Sequence, residues 1–325
     1  MALYPMKFSP ILKKVIWGGT EICEFKGISS EEDKIGESWE ISGVEGNVSV
    51  VSNGSLEGHR LDAVLAEYKA ELLGAENYNR FGNTFPLLIK FIDARDNLSI
   101  QVHPDDELAR LRHDSFGKTE MWYVIKAADG ACLYSGFKKQ ITPEKYVQSI
   151  EDGTFMEYLD RQAVKAGDVF FLPAGRVHAI GAGTFIAEIQ QTSNITYRIY
   201  DYKRTDANGN ERELHTELAK DAIDYRVYES HRTDYVTQKD QAVLLKSCNY
   251  FTTHLLDLED SFLRDYSQID SFVVYICMEG EAALEDDKGN NLMLKKGESV
   301  LLPATTHSMT ILPVSGVKIM ETYVM

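Results

Sequence analysis

"VKAGDVFFLPAGRVHAI" (164–180) and "LKKGESVLLPATTHSMTI" (294–311) share one frame: Lys, Gly, an acid, an apolar run, Leu-Pro-Ala, then His. In each copy a glycine makes a turn, the apolar run reads as a buried strand, a proline ends it, and a short loop leads into the next strand. A matching strand and turn precede each copy, "MWYVIKAADGACLYSG" before the first and "FVVYICMEGEAALED" before the second. The repeat predicts two related β-units in succession, placed at 1–232 and 233–325.

Further runs of the same character surround the repeat: "FPLLIKFI", "TFIAEIQ" and "ITYRIYDY". They are rich in Val, Ile, Phe and Tyr and are punctuated by Gly, Pro, Asn and Asp, the pattern of antiparallel strands in a sandwich or barrel. The expected class is mainly β, with a few peripheral helices. The clearest helix is "RLDAVLAEYKAELLG" (60–74), where Leu61, Val64, Leu65, Tyr68 and Leu72 form one apolar stripe and Gly74 supplies a stop. Two others are expected from Thr142, capping a helix with Pro143 in its first turn, and from Thr216, capping "TELAKDAIDY".

The formal net charge of −16 over 325 residues argues against an extended nucleic-acid footprint, so an anionic ligand must meet a local pocket of Lys and Arg. Cys23, Cys132, Cys248 and Cys277 are scattered without CxxC pairing, which fits a reduced cytoplasmic setting. The start, "MALYPMKFSPILKKV", reads as no export signal, and no stretch approaches membrane-spanning length.

Chemistry concentrates in "LSIQVHPDD" (98–106). In an extended chain Gln101 and His103 project to one side while Ile100 and Val102 face the other. Pro104 then ends the strand. For an isolated Gln-x-His, an amide and an imidazole satisfied by backbone is the ordinary reading.

Gly167 with Pro173, Gly175 and His178 resembles the second motif of the cupin superfamily, and Gln101 to Gly130 resembles a stretched first motif. That resemblance implies two consecutive cupin units, each a jelly-roll β-barrel. Gln101 stands where most cupins carry the first His, and "PDDELARLRHDSFGKT" is inserted before Glu120. These departures narrow the match. Gln-x-His-Pro-Asp followed by Gly-Lys-Thr-Glu is similar to the type I phosphomannose isomerases, as are "WGG" (17–19), "GESWE" (36–40), "FPLLIKFIDARDNLSIQVHPDD", "PAGRVHAI" and "YRIYDY".

The resemblance implies metal ligands Gln101, His103, Glu120 and His178, and one Zn²⁺ per chain. Two imidazoles, one carboxylate and one amide oxygen also suit that borderline ion by their own chemistry. It implies further a cytoplasmic aldose–ketose isomerase that interconverts mannose 6-phosphate and fructose 6-phosphate through a cis-enediolate. Arg198 is implied in the active site, and Ser99 and Lys90 in the substrate pocket.

Taken alone, Lys90 reads as a solvated lysine, and Arg198 as an edge-strand arginine paired with Asp201 or Asp206. Arg198, Tyr200 and Tyr202 are expected on one strand face. Lys118 lies two residues before Glu120, within reach of substrate oxygens if that segment is extended. Glu188 is the acid of an apolar strand, where desolvation is expected to raise its pKa. The family places a glutamate one residue closer to the His. Lys118, Glu188 and a metal-bound water stay open as proton carriers. Glu37, Trp39 and Glu40 are expected to shape the pocket or to be rim charges.

His307 of the second copy lacks an upstream Gln-x-His and a counterpart of Gly175, so the second unit is expected to hold no metal and to serve structurally. Two rival classes are an Fe(II) cupin dioxygenase, against which Gln101 argues, and a non-catalytic sugar-phosphate-binding cupin.

Overall fold

The repeated frame folds the same way twice. Val169–Leu172 pairs antiparallel with Glu120–Ala127, setting Leu172 opposite Glu120, and Ser299–Leu302 pairs antiparallel with Val273–Asp286, setting Leu302 opposite Val273. The preceding turns use Gly167 at φ 88° and Gly297 at φ 80°, where a Cβ is disfavoured. This geometry comes from a computed structural model that describes residues 2–30, 34–205 and 209–325.

Among the described residues the strands form three sheets, and every named strand pairing within them is antiparallel. A seven-stranded sheet holds Leu87–Ala94, Glu120–Ala127 and Thr184–Gln191, and a five-stranded sheet holds Ile100–Val102, His178–Ile180 and Tyr197–Tyr200. Between them lies an apolar cluster that includes Trp122, Val124, Phe170, Leu172 and Ile180. The nine-stranded sheet carries the second repeat and closes on its own cluster, with Val273, Tyr275, Leu302 and Met309.

The halves are sewn together. Met6–Ser9 joins the second unit's sheet with Met6 opposite Leu301, and Val50–Val51 extends it. The outward faces of the two large sheets share one core, in which Met121, Tyr123 and Ile189 meet Val274, Ile276 and Met320. Each such side chain contributes about 1.5–3 kcal/mol through burial. No helix of the described residues is long and apolar enough to cross a membrane.

Two helices differ from expectation. The 60–74 stripe is broken into Leu61–Tyr68 and Ala70–Leu73, with Lys69 between them at φ 49°. The break drives Leu72 and Leu73 into full burial at the junction of the units, where the Ala304 N–H donates to the Leu72 carbonyl at 3.0 Å. Tertiary burial overrides helical propensity there. Thr142 caps Pro143–Glu151 through its hydroxyl, as expected, whereas Thr216 is itself the first residue of Thr216–Ala222. His215, just before it, takes the capping position and exchanges two hydrogen bonds with the Arg198 backbone, through its N–H at 2.7 Å and its Nδ1 at 3.1 Å, so the helix begins one residue earlier than expected.

Candidate active site

Gln101 lies on the short strand Ile100–Val102, directly opposite His178 on one side and Arg198 on the other. Its amide Nε2 is 3.4 Å from His178 Nε2. His103 follows the end of this strand, and Pro104 releases the chain toward the helix Asp106–His113, capped by Asp105. Glu120 opens the next strand, fully buried.

One ligand atom each from His103, Glu120 and His178 fall within 4.8 Å of one another, the one such group of three among the described residues. His178 Nε2 is 3.2 Å from Glu120 Oε1, and His103 Nε2 is 3.6 Å from Glu120 Oε2. Each imidazole has its Nδ1 on a backbone carbonyl at 2.8 Å, His103 on Ile195 and His178 on Arg176. Those bonds fix the proton on Nδ1 and leave the Nε2 lone pairs facing the shared point.

Burial, reinforced by the Lys118 charge, holds both imidazoles neutral, His103 well below its ordinary pKa and His178 down to about 3. Burial pushes Glu120 upward, only partly opposed by Lys118. Glu120 Oε1 has no hydrogen-bond donor among the described residues, a costly arrangement for a buried carboxylate. The Lys118 ammonium meets Glu120 Oε2 and lies 3.0 Å from His103 Nε2. The converging lone pairs thus already hold a cation, and neutral imidazoles with a carboxylate and an amide fit a divalent metal such as zinc.

A cavity opens beside this cluster, lined among others by Lys90, Ser99, Gln101, Lys118, Glu188 and Arg198. Lys118, Glu188, Arg198, Ser99, Lys90 and Gln101 therefore line one cavity. Lys90 is no solvated surface lysine: it is buried between Glu188, 3.2 Å away, and Glu37, 3.6 Å away, and stacks over Trp39. Glu37 also accepts the Trp39 indole N–H at 2.6 Å and lines the cavity, whereas Glu40 is paired with Lys26 at 2.7 Å, outside it.

Two expectations need correction. Burial does act to raise the Glu188 pKa, but Lys118, Lys90 and the Trp122 N–H at 2.8 Å together outweigh it and hold the carboxyl below the usual range. Arg198, Tyr200 and Tyr202 do not share a strand face. The pairing slips between Arg198 and Tyr200, the strand ends at Tyr200, and Tyr202 turns at φ 55°. Arg198 itself lines the cavity and donates to the Glu213 carbonyl at 2.9 Å. Asp201 is occupied by Arg204 and Arg212, while Asp206 lies outside the described residues.

Trp17, of the "WGG" motif, also lines the cavity, as do Asn194, Thr196 and Arg212, which went unnoticed in the sequence. Asn194 and Thr196 alternate with Arg198 in "SNITYRI", a period-two signal that extends the pocket face. Arg212 had no such signal.

The second unit shows what the same frame becomes with other side chains. Lys90 and Trp122 face Glu188 across their strands, and His254 and Tyr275 face Glu321 in the same way. Val273 stands in the register position of Glu120. The facing pair Met309, buried, and Arg264, half-buried, corresponds to His178 and Gln101. His307 is exposed, so its match to His178 in the written frame is out of register by the length of the loop. Arg264 makes two hydrogen bonds to the buried Glu321, at 2.8 and 2.6 Å, and the Tyr266 hydroxyl adds a third at 2.5 Å.

Comparison with known proteins places this geometry among relatives. The catalytic domain of type I phosphomannose isomerase matches residues 6–124, and the mannose-6-phosphate isomerase cupin domain matches residues 240–317. The mannose-6-phosphate isomerase ManA of Bacillus subtilis is 37% identical, over 93% of this chain and 94% of its own. The crystal structure of a mannose 6-phosphate isomerase from Bacillus subtilis superposes with a TM-score of 0.88 at 31% identity, covering 99% of this chain and 100% of the other. A zinc-bound mannose 6-phosphate isomerase shares the fold at 16% identity, with a TM-score of 0.80 over 99% of both chains.

Proposed function

This chain belongs to the type I phosphomannose isomerase family, whose reaction is the conversion of mannose 6-phosphate, and from that membership we propose a zinc-dependent isomerisation to fructose 6-phosphate through a cis-enediolate. The observation that carries the metal reading is the buried convergence of His103, Glu120 and His178 beside a cavity walled by Lys90, Lys118, Glu188 and Arg198. Gln101, His103, Glu120 and His178 would hold one zinc ion per chain. When bound, the ion supplies Lewis-acid polarisation of oxygen and charge stabilisation.

The remaining work falls to the chain. Ser99, Lys90 and Arg198 bind the sugar phosphate, with the Arg198 guanidinium offering paired donors to oxyanions. Glu188 carries the proton from C2 to C1. It is ionised at neutral pH and lines the cavity, where its Oε2 lies 3.2 Å from the Lys90 ammonium. Lys118 lines the cavity beside the cluster, where its positive charge offsets negative charge developing on the substrate.

The proposed catalytic unit is 1–232 and the supporting one 233–325, the chain crossing over after Arg232–Thr233, a strand of the first unit's sheet, while Met6–Ser9 and Val50–Val51 are lent to the second sheet. Four free cysteines agree with a cytoplasmic setting.

Turnover of mannose 6-phosphate in D₂O tests the chemistry. Deuterium at the transferred position, with activity lost on chelation and restored by zinc, supports the proposal. Complete retention of the substrate hydrogen points to hydride transfer and contradicts the enediolate. Oxygen consumption with iron, or tight binding without turnover, favours the rival classes.

A further inference from the structure

The segment that carries Lys118 and Glu120 is tied down from behind by Asp106, a residue outside the cavity lining. Asp106 Oδ1 accepts the Gly117 N–H at 2.8 Å and the Gln191 Nε2 at 2.9 Å. Gln191 is buried, and its own Oε1 accepts the Thr119 N–H at 2.8 Å. Both N–H groups flanking Lys118 therefore end, directly or through one amide, on the same carboxylate oxygen.

The approach is close enough to dictate the residue at 117. A Cβ on Gly117 would stand 2.6 Å from the backbone of Asp105 and Asp106, inside any normal contact. The other oxygen, Asp106 Oδ2, accepts the Tyr250 hydroxyl at 2.8 Å. Tyr250 sits in the turn between Ala242–Ser247 and Thr252–Leu258 of the second unit, 144 residues away in the chain. Arg80 braces that turn by donating to the Asn249 carbonyl at 3.0 Å and lying over the Tyr250 ring.

We propose that Asp106 is a positioning residue for the isomerisation: it fixes the 117–120 segment, and with it the Lys118 ammonium and the Glu120 carboxylate, and Tyr250 of the second unit holds Asp106 in place. The non-catalytic unit thereby takes part in the geometry of the site. The proposal rests on Glu120 and Lys118 acting as assigned above. An ionised carboxylate accepts backbone N–H donors more strongly than a neutral group, and partners behind a metal ligand commonly govern affinity or rate.

The test compares the full chain with Asp106→Ala, Asp106→Asn and Tyr250→Phe, measuring zinc retention against a competing chelator, kcat and KM for mannose 6-phosphate, and thermal melting. Asp106→Ala is expected to weaken zinc retention and lower kcat by about 10–100-fold, with KM changed less. Asp106→Asn, which keeps an oxygen toward Gly117 and Gln191, is expected to recover most of both losses. Tyr250→Phe, which removes one hydroxyl, is expected to lower kcat by about threefold or more without lowering the melting temperature.

Should Asp106→Ala not fold, Tyr250→Phe decides alone. Parent-like zinc retention and kcat in Asp106→Ala or Tyr250→Phe overturns the proposal, as does an Asp106→Asn protein no better than Asp106→Ala. A parent chain that retains no zinc overturns instead the ligand assignment on which the proposal stands.

Discussion

At the scale of single residues, the site is a set of lone pairs aimed at one point, and each assigned role has its own signature. His103→Ala or His178→Ala is expected to abolish both bound zinc and turnover, because each removes an Nε2 that the backbone carbonyl behind the ring has oriented. His307→Ala, at an exposed position, should change neither. Metal analysis alongside the coupled assay separates these outcomes, and full activity in either of the first two would contradict the ligand set. Arg198→Ala should lower kcat by about 10²-fold or more with zinc content intact, since its guanidinium lines the cavity and is none of the assigned ligands. Much of this was legible: Gln-x-His on alternating positions, an acid and a later His in matching frames. The Glu188 pKa was not, because its direction depends on Lys118, Lys90 and Trp122, which only the fold brings around it.

At the scale of elements, the duplicated Gly-to-Leu-Pro frame announced two β-units, and its strands form in the expected order, each pairing with the strand before it in the same way. The misread features are those that depend on one residue of spacing. The loop after Pro303 carries the chain past His307 to Met309 before it turns inward, so a frame that matches on paper departs in register. The helical stripe from Leu61 was equally clear, but its break at Lys69 is imposed by the fit of Leu72 and Leu73 at the junction. Lys69 has φ 49° and ψ −118°, a conformation suited to glycine. Relief of about 1–3 kcal/mol of strain exceeds the entropic cost of about 0.5–1 kcal/mol, so Lys69→Gly should raise stability by about 1 kcal/mol. A urea titration with an unchanged slope and a higher midpoint is the expected result, and a lower midpoint would contradict it.

At the scale of the whole molecule, two copies of one barrel have diverged inside while keeping the same register. The positions that face Glu188 in the first unit are lysine and tryptophan, and those that face Glu321 in the second are histidine and tyrosine. There the guanidinium of Arg264, in the register position of Gln101, neutralises the buried carboxylate. Against the upward push of burial, His254, Arg264 and Tyr266 together hold the Glu321 pKa below its usual value. Arg264→Ala strands that carboxylate and should cost about 3 kcal/mol of stability by denaturant unfolding, while kcat of the folded protein stays near that of the parent. Loss of turnover in a fully folded Arg264→Ala protein would contradict a structural role for that network. Turnover in the first barrel depends on its metal, which a comparison of zinc content with turnover checks. Purified active protein should contain one zinc per chain, lose zinc and mannose 6-phosphate isomerisation in proportion on chelation, and regain both on zinc addition; full turnover by metal-free protein would contradict the account.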